Sequence, residues 1–289
     1  MIYLILSIIC SLTVGVLLKL AKRYEINIPQ AITWNYLFAI GLSVVFFNAS
    51  FQSITLTSLS SLHLVLGVLL PAIFIFLALS VQHTGLARTD IAQRLSLFIS
   101  LTAAYFIFEE TYGTLKYAGI AVGFLAIIFT LYRKPTIEVK YNQWVYPILV
   151  FIGFGIIDVS FKLISSYTSL PYTTSLFVIF CISFLLSLSY IVYLAVTKKT
   201  KLQLINFVCG CVLGLFNFGN ILCYLKAHRA MSNDPSTVFA AMNMGVIIGG
   251  SLIGILIFKE KLNKLNYLGL GLALVAIVLI TLAQLNAVR

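Results

Sequence analysis

Long apolar runs separated by short polar breaks constrain this chain more than any other feature. Each run is close to the roughly 17–25 residues that an α-helix needs to cross a bilayer. Because the runs are continuous and do not alternate, they predict spanning helices and exclude a β-barrel. Ten runs are predicted, approximately at 2–20, 31–47, 62–81, 91–108, 115–132, 145–164, 174–196, 204–225, 237–258 and 265–285.

Composition excludes a water-soluble fold. Hydrophobic residues make up 61% of the chain, charged residues make up 9%, and the mean hydropathy is +1.06. Soluble domains carry roughly 25% charged residues, so this chain could not cover itself with polar surface in water. The breaks leave no room for a sizeable soluble domain. We interpret the first run as a span and not as a signal peptide, because it has no basic segment before it.

The chain also repeats itself. Phe, Glu, Leu, Tyr and Gly of segment 108–119 recur in the same order and spacing in segment 258–269. A second echo relates Lys19–Tyr24 to Lys162–Tyr167. Duplication inside an apolar chain is typical of transporters built from two structural repeats, with the site at their junction. For either echo taken alone, the alternative is a chance likeness between two polar breaks.

The repeats divide the chain into two halves of five spans each. The halves comprise residues 1–135 and 143–289, and the charged break near 133–142 separates them. Because five is an odd number, the two copies must enter the membrane with opposite orientations. We therefore predict an all-α integral membrane protein whose ten transmembrane helices form two inverted five-helix repeats, together making one membrane domain.

The basic residues predict an orientation. The net charge of +11 does not indicate nucleic-acid binding, because the basic residues lie mostly at span ends and form no basic face interleaved with aromatic residues. Twelve lie in the odd-numbered breaks, against four in the even-numbered breaks and the termini. The positive-inside rule assigns the richer side to the cytoplasm, which predicts that both termini lie outside.

Charged side chains within the spans are the first candidates for substrate binding, because each is costly at membrane depth. Asp158 and Lys162 are four residues apart, so they share a face of the sixth span and could pair. Lys19 is the counterpart of Lys162 in the first half. The alternative for both lysines is that they extend from span ends to the nearest headgroups.

Two further sets of polar residues are candidates. Gln93 and Arg94 lie near the start of the fourth span, on a polar stripe with helical spacing. Asn217, Asn220 and Tyr224 share one face of the eighth span. Each set is explained either by hydrogen bonds between helices or by contact with a polar substrate.

The remaining titratable residues have simpler expected roles. Glu110 and Glu260 end spans four and nine among other charges, which predicts a structural role as solvated loop charges. The alternative is that they form a proton-coupling pair. His63, His83 and His228 lie near span ends and are expected at the membrane interface.

The sequence does not predict an enzyme. It has no catalytic triad pattern, no paired carboxylates beside a cleft and no phosphate-binding glycine loop, so we expect no catalytic residue and no cofactor. Its five cysteines fall within spans and lack the spacing of a zinc or redox pair. We therefore expect no metal site.

The chain resembles the drug/metabolite transporter superfamily, and most closely its EamA branch. The resemblance is carried by the two sets of five spans, by the Phe-x-Glu breaks before spans five and ten, and by Gly119, Gly269, Lys19 and Lys162. It implies inverted-repeat symmetry, a central cavity, and export or exchange of small metabolites. It also implies cytoplasmic termini, opposite to the charge count, so both orientations stay open. The proline usual midway along spans four and nine is absent here.

We therefore expect a secondary transporter in a bacterial cytoplasmic (inner) membrane. Its partners would be the lipid bilayer, a small polar or amphipathic metabolite, and a coupled proton or counter-substrate. The alternative is a polytopic membrane protein that does not transport, such as a receptor or an assembly factor. Duplication and inward-facing polar residues favour the transporter, because a scaffold requires neither.

Overall fold

The described part of the chain consists of helices and short connections, without strands. A computed structural model describes residues 2–24, 26–47, 59–84, 86–131, 141–167, 170–198, 203–257 and 263–287. A short 3₁₀ turn, Tyr141–Trp144, precedes the seventh of eleven α-helices in these ranges. The helices are α1 (Ile2–Arg23), α2 (Ile28–Phe47), α3 (Ser61–Thr84), α4 (Leu86–Leu95), α5 (Leu97–Phe106), α6 (Thr114–Leu131), α7 (Val145–Tyr167), α8 (Tyr172–Lys198), α9 (Leu204–Ala230), α10 (Pro235–Leu256) and α11 (Lys264–Ala287).

Six of these helices are long and apolar enough to cross a membrane: α2, α7, α8, α9, α10 and α11. Shorter apolar segments occur in α1, α3 and α6. Many large apolar side chains are exposed along these helices, as expected where lipid and not water covers the surface. The prediction of an all-helical, multi-pass membrane protein is confirmed.

Polar residues in the breaks set the helix ends. Asn27 accepts a hydrogen bond from the backbone N–H of Gln30 (3.3 Å), which satisfies one of the free amides at the start of α2. Asp234 and Pro235 begin α10, where proline is favoured because the first helical amide needs no partner. Asn263 and Asn266 each accept the backbone N–H of the other (2.8 and 3.0 Å) at the start of α11.

The predicted fourth span is interrupted. Residues 91–108 were expected to form one helix, but α4 and α5 are separate ten-residue helices that meet at Ser96. The Ser96 hydroxyl donates to the backbone carbonyl of Gln93 (2.6 Å), which is the carbonyl that the amide of residue 97 would use in a continuous helix. A side-chain donor within the helical ladder therefore explains the break.

The chain divides into two compact units, and each contains segments of both sequence halves. Unit 1 comprises residues 1–75 and 160–229, and unit 2 comprises residues 76–159 and 230–289. The sequence halves 1–135 and 143–289 are thus not the compact bodies of the fold. Their status as repeats is a separate matter, because a repeat can contribute helices to two bodies.

In unit 1, α2 packs against both α8 and α9. A Cβ atom on Gly210 of α9 would lie 2.5 Å from Cβ of Trp34 and 2.7 Å from the carbonyl oxygen of Ala31. One turn later, a Cβ atom on Gly214 would lie 2.7 Å from the carbonyl oxygen of Asn35. Only glycine permits this approach of two helix backbones, which run parallel here.

In unit 2, α6 packs lengthwise against α11. A Cβ atom on Gly119 would lie 2.7 Å from the side chain of Ile280. Near the other end of α6, Asn266 of α11 donates to the carbonyl oxygen of Phe129 (3.1 Å). The two helices therefore run antiparallel, and α10 also contacts α5, α6 and α11 in this unit.

Candidate functional site

Lys162 is the most deeply buried of the predicted charged candidates whose side chains the structure describes. It lies in α7, within unit 1, and only 2% of its surface is exposed. Its ammonium donates to the hydroxyl of Ser166 one turn later (3.3 Å). Ser165, between them in the same turn, donates to the carbonyl oxygen of Lys162 (2.7 Å). Lys162 is therefore largely enclosed by protein.

An imidazole and two aromatic rings surround the same region. His228 of α9 is fully buried and lies within electrostatic range of Lys162. The ring of Tyr224, one turn earlier, meets the His228 ring edge-on at a centroid distance of 4.6 Å. Phe161, next to Lys162 on α7, meets Tyr224 at 6.3 Å. We call Phe161, Lys162, Tyr224 and His228 the buried basic cluster.

His228 was expected at the interface; the structure shows that it is completely buried by protein, near the end of α9. The spacing could have indicated it, since residues 217, 220, 224 and 228 follow one another at helical intervals on α9. His63 is also fully buried by protein, at the start of α3, where its Nδ1 lies 2.9 Å from the Ser60 hydroxyl. His83 is half-buried and stacks on Tyr146 at 4.8 Å.

The two predicted asparagines of α9 have protein partners in unit 1. Asn217 donates to the side-chain oxygen of Asn35 in α2 (3.1 Å). The side-chain oxygen of Asn220 accepts the hydroxyl of Ser7 in α1 (2.8 Å). These bonds join α9 to α1 and α2, which is the helix-joining alternative considered from the sequence. A role in substrate binding stays a prediction for both.

Asn35 and its neighbour Tyr36 retain polar atoms without protein partners. Both residues are fully buried, and neither the Asn35 amide nitrogen nor the Tyr36 hydroxyl has a hydrogen-bond partner in the described structure. Buried donors of this kind are uncommon, because each one loses its bonds to water. The part of α2 that contacts Asn217 is therefore polar, and two of its polar atoms have no hydrogen-bond partner in the described structure.

Four further candidates lie in α7, α4 and α1. Asp158 accepts a hydrogen bond from Ser100 of α5 (3.2 Å), within unit 2. Gln93 and Arg94 are half-buried in α4. Lys19 lies in α1, but its side chain is outside the described part of the structure.

A second charged cluster, in unit 2, was not predicted. Glu110 is 6% exposed and Lys116 is 4% exposed, and the Lys116 ammonium donates to the Glu110 carboxylate. The same ammonium reaches Asp234 (3.2 Å). Ser236 donates to Glu110 through its backbone N–H (3.0 Å) and its hydroxyl (2.8 Å). We call Glu110, Lys116, Asp234 and Ser236 the buried ion network.

The network corrects the interpretation of Glu110 as a solvated loop charge. A carboxylate can be buried where an ammonium, a hydroxyl and a helix-start amide all donate to it. Asp234 and Ser236 belong to the second half of the chain, far from Glu110 in sequence, so the loop sequence alone gave no signal. The counterpart Glu260 lies outside the described residues.

Tyr112 borders this network, in the segment between α5 and α6. Its hydroxyl donates to the carbonyl oxygen of Leu101 (2.8 Å), and the Lys116 ammonium lies 5.4 Å from its ring centre. Burial raises the pKa of Tyr112 well above its usual value, and the nearby Glu110 carboxylate raises it further.

No group of three or more His, Cys, Asp or Glu side chains with the arrangement of a metal site occurs among the described residues. An apolar cavity of about 220 Å³ in unit 1 is lined by Pro29, Pro71, Tyr190 and neighbouring aliphatic residues. It contains none of the predicted polar candidates. The predicted candidates Lys162 and Tyr224 thus lie in the buried basic cluster and not in this cavity.

No family model matches the chain. A solved crystal structure of a protein covers 97% of this chain and 98% of its own length, with a TM-score of 0.66 and 14% sequence identity. This likeness shows a shared fold. An uncharacterized protein of Haemophilus influenzae is 38% identical over 283 residues, which is 95% of each chain. The chain therefore belongs to the same family as this Haemophilus influenzae protein.

Proposed function

We propose that the chain is a secondary transporter of the drug/metabolite transporter type, which moves a small polar or amphipathic metabolite by alternating access. In this proposal, ten membrane crossings form two inverted repeats of five. The buried basic cluster contributes to the substrate site. The observation that carries the proposal is the regular spacing of the helix starts in the two halves.

Five helices of the first half start at a nearly constant distance from five helices of the second half. The starting positions are 2 and 145 for α1 and α7, 28 and 172 for α2 and α8, and 61 and 204 for α3 and α9. They are 86 and 235 for α4 and α10, and 114 and 264 for α6 and α11. The separation is nearly identical in the first three pairs and slightly larger, but again nearly identical, in the last two. A short insertion before α10 accounts for the step.

The sequence echoes follow the same spacing. Lys19 and Lys162 are separated as the starts of α1 and α7 are, and segments 108–119 and 258–269 are separated as the starts of α6 and α11 are. The duplication therefore extends from short motifs to the whole helix pattern, as in transporters built from repeats.

Helix direction supports the inversion. In unit 1, Tyr36 of α2 lies 6.4 Å from Phe180 of α8, measured between ring centres. The earlier residue Pro29 lines a cavity with the later residue Tyr190, so α2 and α8 are antiparallel. In unit 2, α6 and α11 are likewise antiparallel. In both pairs, the two helices have the same position in the order of their respective halves. A two-fold rotation about an axis in the membrane plane produces antiparallel copies of this kind.

Contacts between breaks support ten crossings. The backbone N–H of Asn27, before α2, donates to the side chain of Asn206 at the start of α9 (3.1 Å). Because these two residues are in contact, they lie on the same side of the membrane. The chain must therefore cross the membrane an even number of times between them. If α2, α3, α6, α7 and α8 each cross once, the broken pair α4–α5 must together cross once. Lys116 and Asp234 are also in contact, and the four helices between them, α6 to α9, give an even number of crossings.

The buried basic cluster supports transport over a scaffold role. A lysine enclosed in a membrane helix is costly, and such residues usually mark substrate or ion pathways. Packing alone would be better served by an apolar residue at position 162, because replacing buried charges by apolar residues is often neutral or stabilising. A substrate site explains the presence of the charge.

The test is a screen for uptake and efflux of labelled small metabolites in membrane vesicles that contain the protein. Vesicles without it set the background. We expect at least one metabolite to move, Lys162→Ala to abolish its transport and Lys162→Arg to retain part of it. Lys226→Ala is the matched control, since this half-buried lysine lies over the ring of Tyr3 (5.5 Å) and outside the cluster.

Two outcomes would contradict the proposal at different levels. Near-normal transport by Lys162→Ala would remove the buried basic cluster from the mechanism but leave the transporter. If folded protein in vesicles moves no metabolite above background, the transporter itself is refuted and a receptor or assembly role takes its place.

A further inference from the structure

We propose that the apolar cavity of unit 1 is a binding site for one hydrocarbon chain of a membrane phospholipid. The cavity has a volume of about 220 Å³ and lies between α2, α3 and α8. Of these helices, α2 and α8 are long and apolar enough to cross a membrane, and α3 contains a shorter apolar segment. The inference does not depend on the proposed transport function, because it requires only that these helices lie in a bilayer.

One wall of the cavity is a proline in the interior of α3. Pro71 has no amide hydrogen, so the carbonyl oxygen of Gly67, one turn earlier, loses its usual helical partner. The Ser183 hydroxyl of α8 donates to this oxygen instead (3.0 Å). The backbone group that the proline frees is therefore bonded to protein, and it does not require a polar ligand in the cavity.

Close packing ends the cavity on one side. A Cβ atom on Gly67 would lie 2.5 Å from the side chain of Ile182, so α3 and α8 approach each other closely at this point. Both helices continue from this contact past the cavity, whose lining residues lie between 68 and 75 in α3 and between 186 and 190 in α8. The cavity is therefore a pocket beside a tight helix contact and does not extend along the whole length of the two helices.

The rim of the cavity lies on the exposed surface of unit 1. Val68, Leu186 and Tyr190 line the cavity, and 52%, 43% and 40% of their surfaces are exposed. The inner wall includes Ile32 and Ser187, which are buried. Because lipid covers the exposed apolar surface of membrane helices, the cavity is continuous with the lipid-covered surface. A chain of a neighbouring lipid can therefore enter it from the side.

The lining suits a hydrocarbon chain and not a polar molecule. No lining residue is charged, and all are apolar except Ser187 and Tyr190. The Ser187 hydroxyl donates to the carbonyl oxygen of Phe184 in its own helix (3.1 Å). Tyr190 is on the rim, and tyrosines of membrane proteins are enriched at the level of the lipid headgroups. Apolar cavities exclude water and bind apolar molecules, and beside this cavity the abundant apolar molecules are lipid chains.

The experiment labels the site from within the membrane. The whole protein is reconstituted in vesicles that contain a small fraction of a phospholipid with a diazirine near the end of one acyl chain, and mass spectrometry of peptides locates the label after illumination. We expect the lining residues of α3 and α8 to carry several-fold more label than exposed apolar residues of α11, which report ordinary lipid contact (Leu274, Val275 and Val278). Phosphatidylglycerol and phosphatidylethanolamine probes with the same chains should label the cavity equally, because no lining residue is charged.

Variants that fill the cavity assign the label to it. Ala72 lines the cavity from α3, and Ala72→Phe should reduce the label on the lining residues of α8 to the level of α11. Ala118→Phe, at an exposed alanine of α6, is the matched control and should leave the label unchanged. The unfolding temperature in detergent shows whether each variant folds. Where Ala72→Phe does not fold, Ser187→Leu fills the cavity from α8 instead.

Three results would overturn the inference. The first is equal labelling of the cavity and of the α11 residues in the wild-type protein. The second is cavity label that persists in a folded cavity-filling variant. The third is label from only one of the two headgroups, since the headgroup and not the chain would then be recognised. These results do not bear on transport, which the metabolite screen measures separately.

Discussion

Lys116 and Asn266 occupy the same position in the first turns of two antiparallel helices, α6 and α11, but make different bonds. Each is the third residue of its helix, and both are buried. Lys116 pairs with Glu110 and Asp234. Asn266 instead exchanges hydrogen bonds with Asn263 and donates to a carbonyl of α6. Charged groups therefore stabilise the start of α6, and side-chain amides stabilise the start of α11.

The first prediction concerns this buried ion network. Lys116→Met should lower the stability of the protein by about 3–5 kcal/mol, because it leaves the Glu110 carboxylate buried without its ammonium. The double variant Lys116→Met with Glu110→Gln should recover part of the loss. Lys264→Met, at an exposed lysine in the first turn of α11, is the control and should change stability by less than about 0.5 kcal/mol. Unfolding in detergent measures all three.

An unchanged unfolding temperature for Lys116→Met would show that the network is not stabilising. Recovery in the double variant is the more specific result, because general damage to the packing of α6 would persist when Glu110 is also replaced.

The second prediction concerns the backbone just before the network. Glu109 has φ of 53°, in the left-handed region that side chains other than glycine seldom adopt. Glu109→Gly should keep the fold and change stability by between zero and about 1 kcal/mol in the favourable direction. Glu109→Val should destabilise by about 1–2 kcal/mol, because a β-branched side chain fits this conformation poorly. Equal unfolding temperatures for Gly and Val would contradict the assigned conformation.

The third prediction tests the close contact of α2 and α9. Gly210→Ala should destabilise unit 1 by about 1–3 kcal/mol, because the new methyl group would lie 2.5 Å from Trp34 and 2.7 Å from a carbonyl oxygen of α2. Gly41→Ala is the matched control on the facing helix, since a Cβ atom there meets nothing within 4 Å. It should stabilise by about 0.5–1 kcal/mol through helix propensity. Unfolding temperatures that move in the same direction would refute the contact.

The fourth prediction concerns pH. Because the pKa of Tyr112 is raised in the folded protein from its usual value of 10.0, the unfolded chain loses this proton first as pH rises. The contribution of Tyr112 to the free energy of unfolding is therefore fully present below about pH 10 and decreases above it. Tyr112→Phe should flatten the alkaline decrease, at the cost of about 1 kcal/mol for the lost bond to Leu101. Parallel alkaline curves for wild type and variant would exclude Tyr112 as the source.

Much of this fold was predictable because lipid imposes a simple rule on the sequence. Apolar length marked the helices, whereas the burial of Lys162 was one of two alternatives that the sequence left open. The contact of Asn217 with Asn35 was one of two stated alternatives, but the sequence could not name the partner helix. The buried ion network was not predictable, since Lys116 and Asp234 are 118 residues apart. The helix break at Ser96 was not predictable either, because it depends on one local hydrogen bond.

The last prediction concerns orientation, for which charge and family resemblance disagree. Twelve basic residues in the odd-numbered breaks, against four in the even-numbered breaks and the termini, predict that Lys134 and Lys199 face the cytoplasm and that both termini face outward. In a variant without the five native cysteines, a membrane-impermeant thiol reagent added to intact cells should miss Lys134→Cys and Lys199→Cys. It should reach Arg289→Cys. The reverse pattern would put the termini in the cytoplasm, as the resemblance implies. Labelling of positions 134 and 289 from the same side would be incompatible with five crossings between them and would refute the inverted repeat itself.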